Sequence, residues 1–430
     1  MIDQLKNVAP QLLIVFILSA VICDISRAQD MTFRADVART GVYDTDAPLG
    51  LDDTLWETDT STKLPPAISN GTIYLVPGQS GFGGSDLIAL NSVNGESRWS
   101  FTADAAISSP PSVSSGTVYF GTADGNLHAV DSRNGGSKWS FSVHDRSNED
   151  SEDSGTTMSW GLGSSQSGAE ENAEIRSSPA VSNGTIYFGS MNGNMYAVDQ
   201  ESGQENWSFE TGDEIISPPA VADGIVYFTS RDENLYALDQ ETGQKRWSFD
   251  ISVPPQFVSQ SFQAPSVLDG TVYISTRIGL YALDSRTGRE EWYYDYEDNT
   301  GVGSSPVVTE DMVYVVAGDL YAISRQTGQE RWQWSPGEMM SPEGDFVVDV
   351  ERISSSPVLA DGVVYVMTTK DVLYAIGGDR GQEISSFNDV ENDSNSTFRR
   401  ESLRRSPVLV DGIIYIPHYS FSALLYRAVQ

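Results

Sequence analysis

The sequence predicts an all-β fold, an eight-bladed β-propeller whose blades each contain four strands. Three observations predict it. A phrase of the form Pro-x-Val/Ile-x-x-Gly-x-x-Tyr returns eight times, Asn-Gly and Asp-Gly hairpin signals lie inside the copies, and a Gly-x-x-x-Trp phrase follows most of them. Successive tyrosines of the first phrase lie 40 to 68 residues apart, and the base period matches one propeller blade.

The prolines and tyrosines of the eight copies keep one spacing. The tyrosine always follows the proline by eight residues, and a glycine lies five residues after the proline except in the sixth copy, which has Asp311 there. The pairs are Pro66/Tyr74, Pro111/Tyr119, Pro179/Tyr187, Pro219/Tyr227, Pro265/Tyr273, Pro306/Tyr314, Pro357/Tyr365 and Pro407/Tyr415. Repeats in one register predict a single ring of similar units.

The third copy shows the four strands of one blade most clearly. The segments SPAV, TIYFGS, MYAVD and ENWSF alternate apolar with polar residues and are rich in β-branched and aromatic residues, which predicts strands. Asn183-Gly184 and Asn192-Gly193 separate the first three segments. Asn-Gly favours a tight hairpin because both central residues of that turn need positive φ. Each blade is therefore predicted to begin with a tight hairpin.

Tryptophan marks the fourth strand. The third strand is followed by Asp/Asn/Ser-x-x-x-Gly-x-x-x-Trp in six copies, whereas the seventh keeps Gly381 but has Ser385 at the tryptophan position. In this phrase the chain resembles the pyrroloquinoline quinone (PQQ) repeat family, whose tryptophans dock between neighbouring blades. The resemblance runs from Phe33 to the C-terminus. It implies that these tryptophans are structural blade-docking residues: Trp56, Trp99, Trp139, Trp207, Trp247, Trp292 and Trp332.

The last blade is predicted to be closed by the N-terminal strand. The eighth copy, Pro407 to Gln430, supplies three strands and ends before any tryptophan strand. Trp56, in the segment LWETDT, precedes the first proline and belongs to no earlier blade. A blade shared between the two ends of the chain ties them together and removes an exposed sheet edge.

The N-terminus predicts export. Lys6 precedes an apolar run from Leu12 to Cys23, and Ser26-Arg27-Ala28 has the small-x-small pattern of a signal-peptidase site, so residues 1–28 are predicted to be a signal peptide. A retained N-terminal membrane anchor and a lipid-modified Cys23 are the alternatives. The mature chain, residues 29–430, is then one propeller domain without a membrane span, outside the cytoplasm or at the cell surface.

The charge balance of the chain disfavours two classes of binding partner. Sixty acidic against 26 basic residues give a formal net charge of -34, which disfavours nucleic acid and anionic membrane surfaces as partners. Acidic excess with few lysines is typical of halophilic proteins, in which counter-ions screen the self-repulsion. An ordinary acidic secreted protein is the alternative.

The resemblance also implies an enzymatic alternative, a PQQ-dependent quinoprotein oxidoreductase with calcium. It implies a vicinal Cys-Cys beneath the quinone, but Cys23 is the only cysteine of the chain. His128, His144 and His418 have no metal-like spacing, and no P-loop or GxSxG phrase is present. We therefore assign no catalytic residue and no metal ligand, and PQQ with calcium remains an unsupported alternative.

Five insertions fall on connections that emerge from one face of the predicted ring. They are Ser142 to Ile175, Ile251 to Gln263, Ser335 to Ile353, Asn388 to Leu403 and Gly78 to Ser85. The longest, at about 142–175, is acidic and rich in Gly and Ser, with Trp160 in its centre. It is interpreted either as a solvated loop or as a partner-binding loop anchored by Trp160.

Arginines precede the first proline of three blades, near the inner strand on the same face. They are Arg176, Arg352, Arg404 and Arg405. One interpretation is that each pairs with a nearby carboxylate in a weak surface ion pair. The other is that some stay unpaired around the funnel and bind carboxylate or phosphate groups. The second interpretation makes these arginines candidate ligand- or partner-binding residues.

These observations favour an exported, noncatalytic binding or assembly scaffold over catalysis. The expected partner is an envelope or surface protein or a small ligand, and the expected state is a monomer. The quinoprotein oxidoreductase is the first alternative. The second is a sensor domain that binds a small anion or sugar in the central funnel.

Overall fold

The computed structural model describes residues 42–43, 53–58, 64–78, 86–143, 173–253, 263–296, 303–337, 351–370, 372–388, 406–410, 413–416 and 423–427. Over these ranges the chain forms 33 β-strands and no helix. Accordingly, no helix of the described part of the chain is long and apolar enough to cross a membrane. The first two strands are β1 (Val42–Tyr43) and β2 (Asp53–Thr58).

Six consecutive groups of four strands form antiparallel sheets in chain order. Blade 1 contains β3 (Ala67–Ser69), β4 (Thr72–Leu75), β5 (Asp86–Asn91) and β6 (Ser97–Thr102); blade 2 contains β7 (Ser112–Ser114), β8 (Thr117–Gly121), β9 (Asn126–Asp131) and β10 (Ser137–Ser142). Blade 3 contains β11 (Ala180–Ser182), β12 (Thr185–Gly189), β13 (Asn194–Asp199) and β14 (Glu205–Glu210); blade 4 contains β15 (Ala220–Ala222), β16 (Ile225–Ser230), β17 (Asn234–Asp239) and β18 (Lys245–Asp250). Blade 5 contains β19 (Ser266–Leu268), β20 (Thr271–Ser275), β21 (Gly279–Asp284) and β22 (Glu290–Asp295); blade 6 contains β23 (Val307–Val308), β24 (Met312–Ala317), β25 (Asp319–Ser324) and β26 (Glu330–Trp334).

The last two blades use both ends of the chain. Blade 7 contains β27 (Val358–Ala360), β28 (Val363–Met367), β29 (Val372–Gly377) and β30 (Glu383–Asn388); blade 8 contains β31 (Val408–Val410), β32 (Ile413–Ile416) and β33 (Ala423–Arg427). Strand β2 completes blade 8 by antiparallel pairing with β33, with Asp53 opposite Arg427 and Thr58 opposite Ala423. The eight-bladed propeller closed by the N-terminal strand is therefore confirmed over the described residues.

Blade 7 carries a fifth strand that the sequence did not predict. Strand β1 pairs in parallel with β27, with Val42 opposite Leu359 and Tyr43 opposite Ala360. First strands of neighbouring blades contact one another, as β15 and β19 do, so they surround the central axis. Strand β1 thus lies on the inner side of blade 7. A pairing of two residues leaves no periodic pattern in the sequence from which it could be predicted.

The two edges of each blade differ. In blade 3, Ser182 pairs with Thr185 across the Asn183-Gly184 hairpin, and Thr185 pairs with Asp199 beside the third-to-fourth turn. We call this edge of the ring the turn face. At the opposite edge, Asn194 pairs with Glu210, where the fourth strand ends. We call that edge, which bears the five insertions, the insert face.

The hydrophobic core lies between successive blades. Tyr187 of blade 3 packs in one cluster with Val221 and Phe228 of blade 4, and all three side chains are almost fully buried. Burying an apolar side chain of this size stabilises the fold by about 1.5–3 kcal/mol. Because each blade packs against the next in this way, stability depends on the whole ring.

Candidate functional site

Seven tryptophans join seven of the eight blades to the following blade through one repeated contact. The indole of Trp207 in blade 3 donates a hydrogen bond from Nε1 to the carbonyl of Gln240 in blade 4, at 3.1 Å. The same bond is made by the other six: Trp56 to Ser92, Trp99 to Ser132, Trp139 to Gln200, Trp247 to Ser285, Trp292 to Arg325 and Trp332 to Gly378. Each acceptor lies in the third-to-fourth turn of the following blade.

A glycine in each such turn makes the contact fit. Gly243 has φ of +68°, a conformation that side chains disfavour, and a Cβ added there would lie 2.6 Å from Cδ2 of Trp207. The indole therefore packs directly on the backbone of the turn. The repeated Gly and Trp belong to different blades, which is why their constant spacing reports on packing and not on a ligand.

The interface between blades 7 and 8 lacks this contact. Ser385 pairs with Ala375 of β29 in the place where the other blades have tryptophan. Its Oγ is buried and has no hydrogen-bond partner among the described atoms. Because the third and fourth strands of blade 8 come from opposite ends of the chain, no continuous turn joins them to receive an indole.

Serine hydroxyls tie the inner ends of the blades together. Ser177, before blade 3, donates to the carbonyl of Ser217, before blade 4, at 2.9 Å. Ser217 in turn donates to the carbonyl of Thr229 at 3.0 Å. Both serines are almost fully buried. Ser177 therefore ties blade 3 to blade 4, Ser217 braces blade 4 internally, and each hydroxyl already donates to a backbone carbonyl.

The insert face carries two neighbouring ion pairs in blades 3 and 4. Arg176 pairs with Glu174 at 2.8 Å, with half of its side chain exposed, and Arg231 pairs with Glu214 at 2.7 Å. The hydrogen bond that Arg176 donates to the carboxylate of Glu174 raises the pKa of Arg176. Arg176 thus forms an ion pair, and an exposed ion pair contributes at most about 1 kcal/mol to the stability of the fold.

Arg352 has a different arrangement. Its side chain is exposed and forms no ion pair within the described part of the chain, although its backbone is held by Thr369. The carbonyl of Arg352 accepts from the backbone N–H of Thr369, as the carbonyl of Glu174 accepts from that of Met191, so Arg352 occupies the repeat position of Glu174, two residues before that of Arg176. The two arginines therefore stand at different positions of the repeat. Trp160, Arg404 and Arg405 lie outside the described residues.

His128 packs as the tyrosines of the repeat do. Its ring stacks on Phe120 with centroids 5.3 Å apart, as Tyr196 stacks on Phe188 at 5.4 Å. Burial lowers the pKa of His128, although Asp124 and Asp104 act in the opposite direction. Within the described ranges, no group of three or more His, Cys, Asp or Glu side chains is placed to hold a metal ion.

The described inner residues do not fit a quinone. The serine hydroxyls that reach the inner edge donate to backbone carbonyls, and β1 runs along the inner side of β27. The tryptophans are docked on glycines between blades. A planar cofactor would need exposed rings and free donors, and these described serines and tryptophans offer neither.

Comparison with solved structures shows the same fold. BamB from Moraxella catarrhalis is 17% identical, with a TM-score of 0.62, 87% of this chain covered and 97% of that one. The computationally designed protein Ika8 is 13% identical, with a TM-score of 0.63 and coverage of 88% and 100%. Quinohemoprotein alcohol dehydrogenase from Comamonas testosteroni is 13% identical, with a TM-score of 0.62 and coverage of 93% and 80%.

No curated protein sequence matches the chain. A family model does match, the one described as outer membrane protein assembly factor BamB, over residues 39–159, 151–348 and 256–424. These ranges together run from residue 39 to residue 424 and reach into all eight blades. The repeats, the docked tryptophans and this match lead to one conclusion: the chain belongs to the PQQ-repeat β-propeller family described as outer membrane protein assembly factor BamB.

Proposed function

We propose that the protein is an exported, noncatalytic scaffold that binds a protein partner of the cell envelope through its insert face. The observation that carries the proposal is the family match over nearly the whole chain, together with a fold that covers almost all of BamB. The family is named for assembly of outer membrane proteins. The proposed activity is therefore presentation of a surface, with no chemical step.

The exposed side chain of Arg352 on the insert face supports a role in binding a partner. In a chain of net charge -34, an arginine without a carboxylate partner among the described residues offers a local site for an acidic group. Arg guanidinium binds carboxylate in a bidentate geometry. We include Arg404, Arg405 and Trp160 in the proposed surface because the sequence assigns them to the same face.

The test is affinity capture from solubilised native envelope with the wild-type chain and the Arg352→Ala/Arg404→Ala variant. We expect the variant to recover at least tenfold less of the specific partner, with a melting temperature within about 2 °C of wild type, because exposed charges contribute little to folding. Arg133→Ala, an exposed arginine on the turn face, is the matched control and retains capture.

Two outcomes contradict the proposal. Equal recovery by the double variant removes the arginines from the binding surface. Absence of any specifically recovered protein, combined with PQQ- and calcium-dependent dye reduction by the reconstituted chain, supports the oxidoreductase alternative instead.

A further inference from the structure

A polar groove opens between blades 3 and 4 on the turn face, opposite the insert face. Its volume is about 710 Å³, within the range of about 300–1,000 Å³ that is usual for small-ligand sites. Blade 3 contributes Asn183, Thr185 and Asn206, and blade 4 contributes the turn around Glu241 and the side chain of Arg246. The buried side chains of Trp207 and Tyr187 also line it.

The groove exists because one residue of blade 3 is short. At the position before the docking tryptophan, blade 1 has Arg98, whose Nη1 reaches Thr72 Oγ1 at 2.6 Å. Blade 2 has Lys138, whose Nζ reaches Thr117 Oγ1 at 2.5 Å. Blade 3 has Asn206, whose Nδ2 lies 3.4 Å from Thr185 Oγ1. The long side chain that covers this place in blades 1 and 2 is thus replaced by a short amide.

The charges of the groove largely cancel. Arg246 Nη2 donates to Asp239 Oδ2 at 2.7 Å, and this bond is the largest cause that lowers the pKa of Asp239 to about 2. The other oxygen of Asp239 accepts from the backbone of Thr242. Asp239 and Arg246 therefore neutralise each other. The exposed carboxylate of Glu241 gives the groove a net charge of about -1 from these three side chains.

We propose that this groove binds a neutral saccharide. Each sugar hydroxyl both donates and accepts hydrogen bonds, and the groove offers matching groups: the amides of Asn183 and Asn206, the hydroxyl of Thr185 and the carboxylate of Glu241. The negative charge of Glu241 disfavours an anionic ligand, and the predominantly polar lining disfavours an apolar one. This site is on the other face from the proposed partner surface and does not depend on it.

The test is saturation-transfer difference NMR with the full chain. The neutral probes are methyl α-glucoside, methyl β-galactoside and N-acetylglucosamine, and glucuronate is the anionic probe. We expect saturation transfer to at least one neutral probe and at least fivefold less to glucuronate. Asn206→Arg, which places in blade 3 the side chain that blade 1 already has, should reduce the neutral signal at least fivefold.

Two further variants complete the design. Lys138→Arg puts the same new side chain at the equivalent, already covered place in blade 2 and should leave the signal unchanged. Asn206→Leu fills the groove without a charge and replaces Asn206→Arg if that variant does not fold. The proposal is overturned if no neutral probe receives saturation from the wild-type chain, if the filled variants keep the wild-type signal, or if glucuronate binds best.

Discussion

The interface between blades 3 and 4 and the interface between blades 7 and 8 differ in one contact. At the first, Trp207 packs on Gly243 and donates to the carbonyl of Gln240. At the second, Ser385 stands in place of the tryptophan and its hydroxyl has no partner among the described atoms. The repeat therefore loses its tryptophan at the interface where the third and fourth strands of the next blade come from opposite ends of the chain.

This difference shows what the tryptophan requires. An indole at the fourth strand needs a glycine and a free carbonyl in a turn of the following blade. Blade 8 has no covalent third-to-fourth turn, because β33 and β2 belong to opposite ends of the chain. The closing interface, between blades 7 and 8, is consequently held by apolar packing, with Tyr365 and Ala375 of blade 7 in one buried cluster with Leu409 of blade 8. Blade 8 itself is completed by the pairing of β2 with β33, and Trp56 docks it on Gly95 of blade 1.

The largest effect is expected from deleting residues 29–62. The deletion removes β2 and Trp56, so blade 8 loses its fourth strand and exposes the edge of β33. We expect aggregation, or a fall of the melting temperature by more than about 10 °C, measured by circular dichroism and light scattering.

Deletion of residues 29–50 is the control for that experiment, because it keeps β2. It should leave a much more stable, monomeric protein. Equal melting temperatures for the 29–62 deletion and the intact chain would show that β2 does not close the ring.

A smaller effect is expected from substitution at the two compared interfaces. Trp207→Ala removes a buried ring and its hydrogen bond and should lower the free energy of unfolding by about 3–5 kcal/mol. Ser385→Ala removes a buried hydroxyl that lacks a partner among the described atoms, and should change the free energy of unfolding by less than about 1 kcal/mol, in the stabilising direction. Urea titration of both variants measures the difference.

Similar losses for the two variants would contradict the comparison. Such a result would mean that Ser385 supports the closing interface as strongly as an indole supports the others.

The smallest effect is expected from substitution of His128, whose ring stacks on Phe120 in blade 2. Burial holds the pKa of His128 below its ordinary value of 6.5. The stacked neutral ring therefore stabilises the fold fully above that pH, and this stabilisation is lost as the pH falls and the folded protein must accept the proton. His128→Tyr, which copies the Tyr196 stack, should weaken the fall of melting temperature below pH 6.5.

Tyr196→His is the matched control for His128. It should introduce the same acid sensitivity in blade 3, because Tyr196 stacks on Phe188 with nearly the geometry of His128 on Phe120. If the melting temperatures of the wild type and His128→Tyr fall in parallel below pH 6.5, His128 does not contribute to the acid sensitivity of the fold.

The candidate surfaces were only partly predictable from sequence. Arg176 and Arg352 both precede a blade's first proline, but they stand two residues apart in the repeat, and Arg176 has a carboxylate partner whereas Arg352 is exposed without one among the described residues. The groove had no sequence signal of its own. A comparison of Arg98, Lys138 and Asn206 at one repeat position could have indicated it, because the shortest of the three side chains leaves the opening.

The sequence by itself determined the blades, their number and their closure, because those depend on local features: alternating strands, Asn-Gly turns and a glycine and tryptophan at constant spacing. Only the tertiary structure decided which blade each indole packs on, why Ser385 replaces the last one, that β1 lies inside blade 7, and where the groove opens. The physical reason is that these features are contacts between segments 30 to more than 300 residues apart, such as Trp56 with Ser92 and Val42 with Leu359. Their partners are fixed by the geometry of a closed ring, which no short stretch of sequence contains.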